Sequence, residues 1–443
     1  MSCACHGRKD QLQYRKVKQT PYIEVNDLRE LVIKSESDQL QAALLDDGKL
    51  TEYFVELESR KVVVGNIYKG KVINVLPGME AAFVDIGTGK NAFLHVDDLL
   101  PAGVDRPQNK PPIDQLVRSG QELLVQVMKE PLGSKGARVT THYFLPGRWL
   151  VYMPGARYVG ISRKIVDEAE RERLKRIGEQ LRTSEEGLIL RTAACGKSEE
   201  ELRQDLEYLR SLWSKITAKQ AEVQAPAELY HELDMLPRLV RDVFTDEVER
   251  CVVSDHQLAV QLQHVLEPYA AHLLERISVE DHHDVFAHYQ VQDQLNRLFV
   301  RKIWLDNGGY IVVDQTEALT VIDVNTGKFI GSVDLEQTVY ETNMEAAKLI
   351  AQLIRLRDIG GIIIVDFIDM NQEEHRQAIV DELEQLIRKD RTKTLIMGWT
   401  KLGLLEITRK KVRESVDYQL GGICPSCGGS GRIPVDGNSS LLR

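Results

Sequence analysis

Two stretches about forty residues apart decide how this chain is read: Ala318–Gly327, "ALTVIDVNTG", and Gly361–Met370, "GIIIVDFIDM". Each is a run of strand-forming residues that a core would claim, and each carries an aspartate, Asp323 or Asp366. A buried, unpaired carboxylate is costly, so such a residue takes a partner or holds a metal. In a strand, side chains two apart share a face at about 6.5–7 Å. Asp323 and Asn325 therefore point one way, while Ile322 and Val324 point into packing. The unbroken apolar run "GGIIIVDF" predicts a central strand covered on both faces, with Asp366 at its C-terminal end. That is the edge where open α/β sheets place ligands. Asp369 has the opposite parity and precedes a helix that Asn371 and Glu374 are expected to cap. Two carboxylates and an amide converging at neighbouring strand ends make a donor set that Mg²⁺ accepts. The competing reading is that each Asp merely finishes a turn.

Outward from this pair, the chain has 443 residues, 43% of them apolar, enough for several packed units. A formal net charge of −10 excludes a generic basic nucleic-acid coat, so any nucleic-acid contact is local. No apolar run is long enough for a transmembrane helix, and the start, "MSCACHGRKDQLQYRKVKQ", lacks a signal-peptide core. The six cysteines are too sparse for a disulfide scaffold, which predicts a reduced, cytoplasmic protein with Cys195 and Cys251 as buried thiols. There are no internal repeats.

The chain is expected to begin with a loose polar extension (1–27), and residues 29–58 read as strand, turn, strand. The segment "GNIYKGKVINVLPGMEAAFVDIGTGKNAFLHVDDL" and then "ELLVQVMKEPLGSKGARVTT" give five short, glycine-punctuated β-segments. This predicts an OB-type barrel interrupted by a proline-rich loop at Pro101–Asp114. Phe83 and Phe93 in it are either core residues or platforms on which bases stack. Ser198 with Glu201 forms a capping box and opens a long helix that ends before Ala225–Pro226. Gly196-Lys197-Ser198 lacks the upstream glycine of a nucleotide-binding loop. From Arg301 the pattern is α/β, and the chain closes on "CPSCGG". Cys424 and Cys427 are half of a zinc site, which wants four ligands. Cys3, Cys5 and His6 could complete it within one chain.

The runs "IWLDNGGYIVVDQTEALTVIDVN" and "LRDIGGIIIVDFIDM" resemble the catalytic core of the RNase E/G family of endoribonucleases. The barrel, the "RTAACGKS" segment and "CPSCGG" recur in the family's order, so the resemblance runs from about Leu31 to Gly431 and is nearest the short RNase G branch. It implies a multidomain α/β and β protein: RNase-H-like parts at 28–60 and 226–298, an OB-fold at 61–147 and a 5′-sensor region at 148–225. A DNase-I-like catalytic domain at 299–421 and a zinc knuckle with tail at 422–443 complete it.

The resemblance further implies that Asp323 and Asp366 hold one Mg²⁺ and that Asn325 orients the site. The implied reaction is water attack on single-stranded, A/U-rich RNA, leaving a 5′-phosphate and a 3′-hydroxyl, in rRNA and tRNA processing and mRNA decay. Phe83, Phe93 and Lys135 match its RNA-contact positions. Arg191 and Thr192 match a pocket for a stimulating 5′-monophosphate, where Lys393 stands in place of an arginine and loses the bidentate fork. Cys424 and Cys427 would share Zn²⁺ with a second chain, making a homodimer. Only a short polar tail follows the knuckle, so no degradosome-type scaffold is expected. A non-catalytic RNA-binding protein and a DNA nuclease stand as alternatives.

Overall fold

The computed structural model describes residues 28–427, apart from 37–38, 58–62, 101–109, 132–134, 281–283, 317, 329–333, 412–414, 423 and 426. The expected extension, the loop at 101–109 and Cys3, Cys5 and His6 lie outside the described residues.

Asp47 and Gly48 both have positive φ (50° and 73°), the conformation of a tight type I′ hairpin. They join Gln39–Asp46 to Lys49–Leu57, and Arg29–Glu36 pairs antiparallel on the other side. Three strands thus stand where two were expected. Arg250–Val253 adds parallel to Arg29–Glu36, with Leu31 opposite Cys251, and Ile277–Val279 follows. One face packs Leu31, Ile33 and Leu44 against Met235–Asp242 and His256–Ala270. The other, through Val32, Ala43 and Leu50, shares a core with the C-terminal sheet. The chain's first strands are therefore structural parts of its last unit.

The barrel forms from Ile67–Leu76, Ala81–Asp85, Ala92–His95, Glu122–Lys129 and Arg138–Thr140, and closes where Tyr68 pairs with Val125. Val72, Val84, Leu94, Val125 and Val139 fill it. Ala227–Tyr230 adds to the outside of Ile67–Leu76, so this strand belongs with the barrel sheet and not with the helices that follow it. A third, four-stranded sheet built on Leu150–Pro154 and Glu186–Leu190 carries Glu168–Leu181 and Glu199–Glu222. Ser198 accepts from the Glu201 backbone and Glu201 accepts from that of Ser198, the capping box expected there.

The C-terminal sheet has the order Lys302–Trp304, Tyr310–Gln315, Leu319–Asn325, Gly361–Asp366, Leu405–Arg409, Thr394–Trp399. Only Leu319–Asn325 and Gly361–Asp366 run parallel, because the helix Leu335–Leu356 crosses between them. That helix and Glu373–Ile387 cover one face, burying Ile322, Ile363, Val365 and Ile407. The other face is open: Ile362 is 49% and Met397 61% exposed. The expectation of a strand covered on both faces fails here. Its isoleucine run encodes one core face and one broad apolar surface. Among the described residues no helix is long and apolar enough to cross a membrane.

Candidate active site

Asp323 and Asp366 are directly opposite one another in the parallel pairing of their strands, so their carboxylates leave the sheet side by side on its open face. Both are exposed, whereas Ile322 and Val324 are buried as the strand parity predicts. The premise that these carboxylates are buried in the core is therefore corrected: the apolar neighbours alternate into the core and the acids do not. The Asn325 side-chain amide donates to Asp323 Oδ2 at 2.8 Å and fixes that carboxylate's rotamer. Partial desolvation, then the charge of Asp323, then that of Asp369, push the Asp366 carboxyl above the ordinary aspartate range. Two like charges in register on adjacent strands repel, and a divalent cation between them would offset that repulsion.

The donor set fits Mg²⁺, which takes one or two carboxylates and completes its octahedron with water and substrate oxygens. Among the described residues no group of three or more His, Cys, Asp or Glu is placed to hold a metal, so the pair is not part of a larger acidic cage. Asp369 is exposed and contributes charge to the site, not a helix cap. The cap at Asn371 and Glu374 is also absent: the helix starts after Gln372 with no side-chain cap. The Asn371 amide instead donates to Glu336 at 2.9 Å.

One positioning residue escaped the sequence reading. Asn343, in the middle of Leu335–Leu356, is fully buried. Its Nδ2 donates to Ile368 O at 2.8 Å and its Oδ1 accepts from Ile368 N at 3.1 Å, clamping the turn that follows Asp366. An Asn on the apolar stripe of "TNMEAAKLI" was the available signal.

On the barrel, Phe83 and Phe93 are cross-strand partners whose rings meet edge to face at 6.0 Å. Both are half-buried, while Ala82, Val84, Ala92 and Leu94 carry the interior. They are surface aromatics and not core residues. Arg138 is the next partner in that row, beside Phe93. Lys135 is exposed next to Gly136, where a Cβ would stand 1.9 Å from the Asn91 carbonyl, so glycine permits this strand contact.

Arg191 follows the strand Glu186–Leu190 and donates to Gly147 O and to Asp242 Oδ1, each at 2.6 Å. Burial pushes the Asp242 carboxyl up, but Arg191 and Arg241 outweigh it and hold it at about 2. The exposed Thr192 hydroxyl lies 2.9 Å from that of Ser162. Arg391 donates to the backbone carbonyl of Asp242 at 2.6 Å, and Lys164 donates to Asp390 O. The structure therefore brings Arg191 and Thr192 to the seam with the C-terminal sheet, where Arg391 and Lys164 add two cations that the sequence reading missed. Lys393 is exposed on the strand-proximal side of Arg391. Cys424 and Cys427 are half-buried and not in a disulfide. Cys251 is buried as expected, but Cys195 is exposed, because it follows the surface turn Thr192–Ala194.

The sequence pattern of the Ribonuclease E/G family matches residues 144–412, and the chain belongs to that family. It is 44% identical over 414 residues to Ribonuclease G of Escherichia coli strain K12, covering 91% of this chain and 84% of that protein. The same identity holds over 411 residues to Ribonuclease G of Salmonella typhimurium, with the same coverage of 91% and 84%. Ribonuclease E of Nostoc is more distant, 37% identical over 418 residues, spanning 93% of this chain and 60% of that longer protein.

Proposed function

We propose that this chain is an endoribonuclease of RNA processing that requires Mg²⁺ and cuts single-stranded, A/U-rich RNA, leaving 5′-phosphate and 3′-hydroxyl ends. The observation that carries this is the register pairing of Asp323 with Asp366 on an open sheet face. Asp323 and Asp366 hold the metal, and Asn325 keeps Asp323 turned toward it. A bound Mg²⁺ lowers the pKa of its water and offsets charge developing on the phosphate. Phe83 and Phe93 present π-faces on which unpaired bases stack, a grip that tolerates sequence. Lys135 contributes charge beside them. These features favour RNA that is already single-stranded, in rRNA and tRNA maturation and mRNA decay.

Arg191, Thr192 and Lys393 are assigned to a substrate 5′-monophosphate. Arg191 reaches it while tied to Asp242, so it acts as a fixed charge. Lys393 supplies a point charge without a fork, which predicts modest stimulation by the phosphate. Cys424 and Cys427 share Zn²⁺ with the same pair of a second chain, giving a homodimer, and the protein works in the cytoplasm.

The test is cleavage of a 5′-monophosphorylated A/U-rich RNA with Mg²⁺ by wild type, Asp323→Ala and Asp366→Ala. The expected result is cleavage by wild type, a loss of at least a thousandfold in both variants, and retained RNA binding. Equal cleavage by all three proteins overturns the assignment. Comparison with DNA of the same sequence separates a ribonuclease from a general nuclease.

A further inference from the structure

The open face of the C-terminal sheet carries more than its carboxylates. Trp304 pairs across with Tyr310, and Tyr310 pairs across with Asn325, so three side chains form one row over three strands. In the next row Lys302 pairs with Val312, Val312 with Asp323, and Asp323 with Asp366. Residues directly opposite in a sheet share a face. Ile303 and Ile311, of the other parity, are buried, which fixes Trp304, Tyr310 and Lys302 on the side of the carboxylates. With strands about 4.8 Å apart, the Tyr310 strand adjoins Asn325 and the Trp304 strand lies one spacing further out.

The three side chains form a defined cluster. The Trp304 and Tyr310 rings meet at 5.3 Å with 63° between their planes. The Lys302 ammonium lies 3.6 Å from the Tyr310 ring centroid and 4.6 Å from that of Trp304. Trp304 nonetheless remains 46% exposed. An indole left open to water beside a cation, in the row adjoining two carboxylates, is poorly suited to the core of a protein interface, where charged groups are depleted. It suits a nucleotide, which offers a π-face to the indole and a phosphate to the ammonium.

We propose that Trp304 and Tyr310 stack the base of the nucleotide adjoining the phosphodiester held at Asp323 and Asp366, with Lys302 countering the neighbouring phosphate. Trp304 and Tyr310 are then positioning and specificity residues: they set which nucleotide can sit beside the scissile bond. This rests on the endoribonuclease reading for its place in the reaction, but the stacking itself is measured without cleavage.

Without added Mg²⁺ and with no chelator, so that any bound zinc stays in place, binding of a single-stranded RNA is followed by tryptophan fluorescence and by titration. The comparison is between wild type, Trp304→Ala and Trp304→Phe. A second set of RNAs each lacks one base at successive positions. Wild type is expected to show quenching that both Trp304 variants lose. Trp304→Ala weakens binding about tenfold, the size of one lost base stack, and Trp304→Phe recovers most of it. RNA abasic at the stacked position binds wild type and Trp304→Ala equally, and with Mg²⁺ that position maps next to the cut. Undiminished affinity and quenching in Trp304→Ala overturns the proposal. So does a fall in molecular mass in that variant with RNA affinity intact, which makes the face an interface between copies. If wild type binds with the expected base dependence but does not cleave, the stacking stands and the nuclease reading falls.

Discussion

On the proposed reading, the Asp366 carboxyl carries both the metal ligation and its pH limit. Desolvation against the sheet raises its pKa first, and the charges of Asp323 and Asp369 raise it further. The form that holds a cation is the deprotonated one, so cation binding is lost as pH falls through this raised value, earlier than for an ordinary aspartate. Asp369 is not placed as a ligand, and Asp369→Asn removes one of the two like charges. The charged form of Asp366 is then less disfavoured and its pKa drops. The acid limb of a kcat/KM against pH profile with Mg²⁺ should therefore move to lower pH in Asp369→Asn, with the neutral-pH rate within about twofold of wild type. A limb that stays in place would mean that Asp369 is too well screened to act on Asp366. The parity of Asp323 and Asn325 was legible in seven residues of sequence. The exposure of Asp323 was not, because alternation within one strand cannot tell which face of a sheet its helices will cover.

The helix Leu335–Leu356 is the element that converts the sheet into a site. Its apolar stripe, including Val339, Ala346, Ala347 and Ile350, packs on the sheet, and Asn343 interrupts that stripe to hold Ile368 at both backbone groups. Asn343→Leu keeps the volume and removes the side-chain partner of both the N–H and the C=O of half-buried Ile368. Such groups cost about 1–3 kcal/mol each when orphaned. The variant should lose about 3 kcal/mol in a urea unfolding experiment and bind Mg²⁺ several-fold more weakly, because the turn after Asp366 is no longer held. Loss of stability without loss of Mg²⁺ affinity would make Asn343 a core residue only. Helix ends were legible where the cap is local, as at Ser198 with Glu201. They misled at Asn371, whose amide is recruited by Glu336 from a helix distant in sequence. Local propensity lost to a tertiary hydrogen bond. Ala227–Tyr230 escaped for a related reason: four residues carry too little period to announce a strand, and their pairing with Ile67–Leu76 is long-range.

Across the whole molecule the first strands and the C-terminal sheet share one hydrophobic core, and charged contacts add to it between units: Arg355 to Glu52 at 2.9 Å, Arg191 to Asp242, and Arg391 to the Asp242 carbonyl. Cys424 and Cys427 are not in a disulfide, and the zinc proposed for them needs two further ligands. Two thiolates at this spacing meet half of a structural zinc's demand. A second chain can supply the other half, and so can the Cys3, Cys5 and His6 segment. The two arrangements differ in stoichiometry. A shared site requires one zinc per two chains and a mass of twice the 50.3 kDa chain. A closed site within one chain requires one zinc per chain and does not depend on association. Metal analysis with light scattering, before and after chelation, is expected to give the first pair of values and then a monomer. Cys424→Ser should be a zinc-free monomer from the start, and Cys3→Ser with Cys5→Ser should leave both metal and mass unchanged. One zinc per chain, lost on changing Cys3 and Cys5, would move the site into a single chain and remove the structural reason for a dimer. Because zinc ligation needs thiolates, the dimer should also come apart as pH falls, and re-form when zinc is restored at neutral pH.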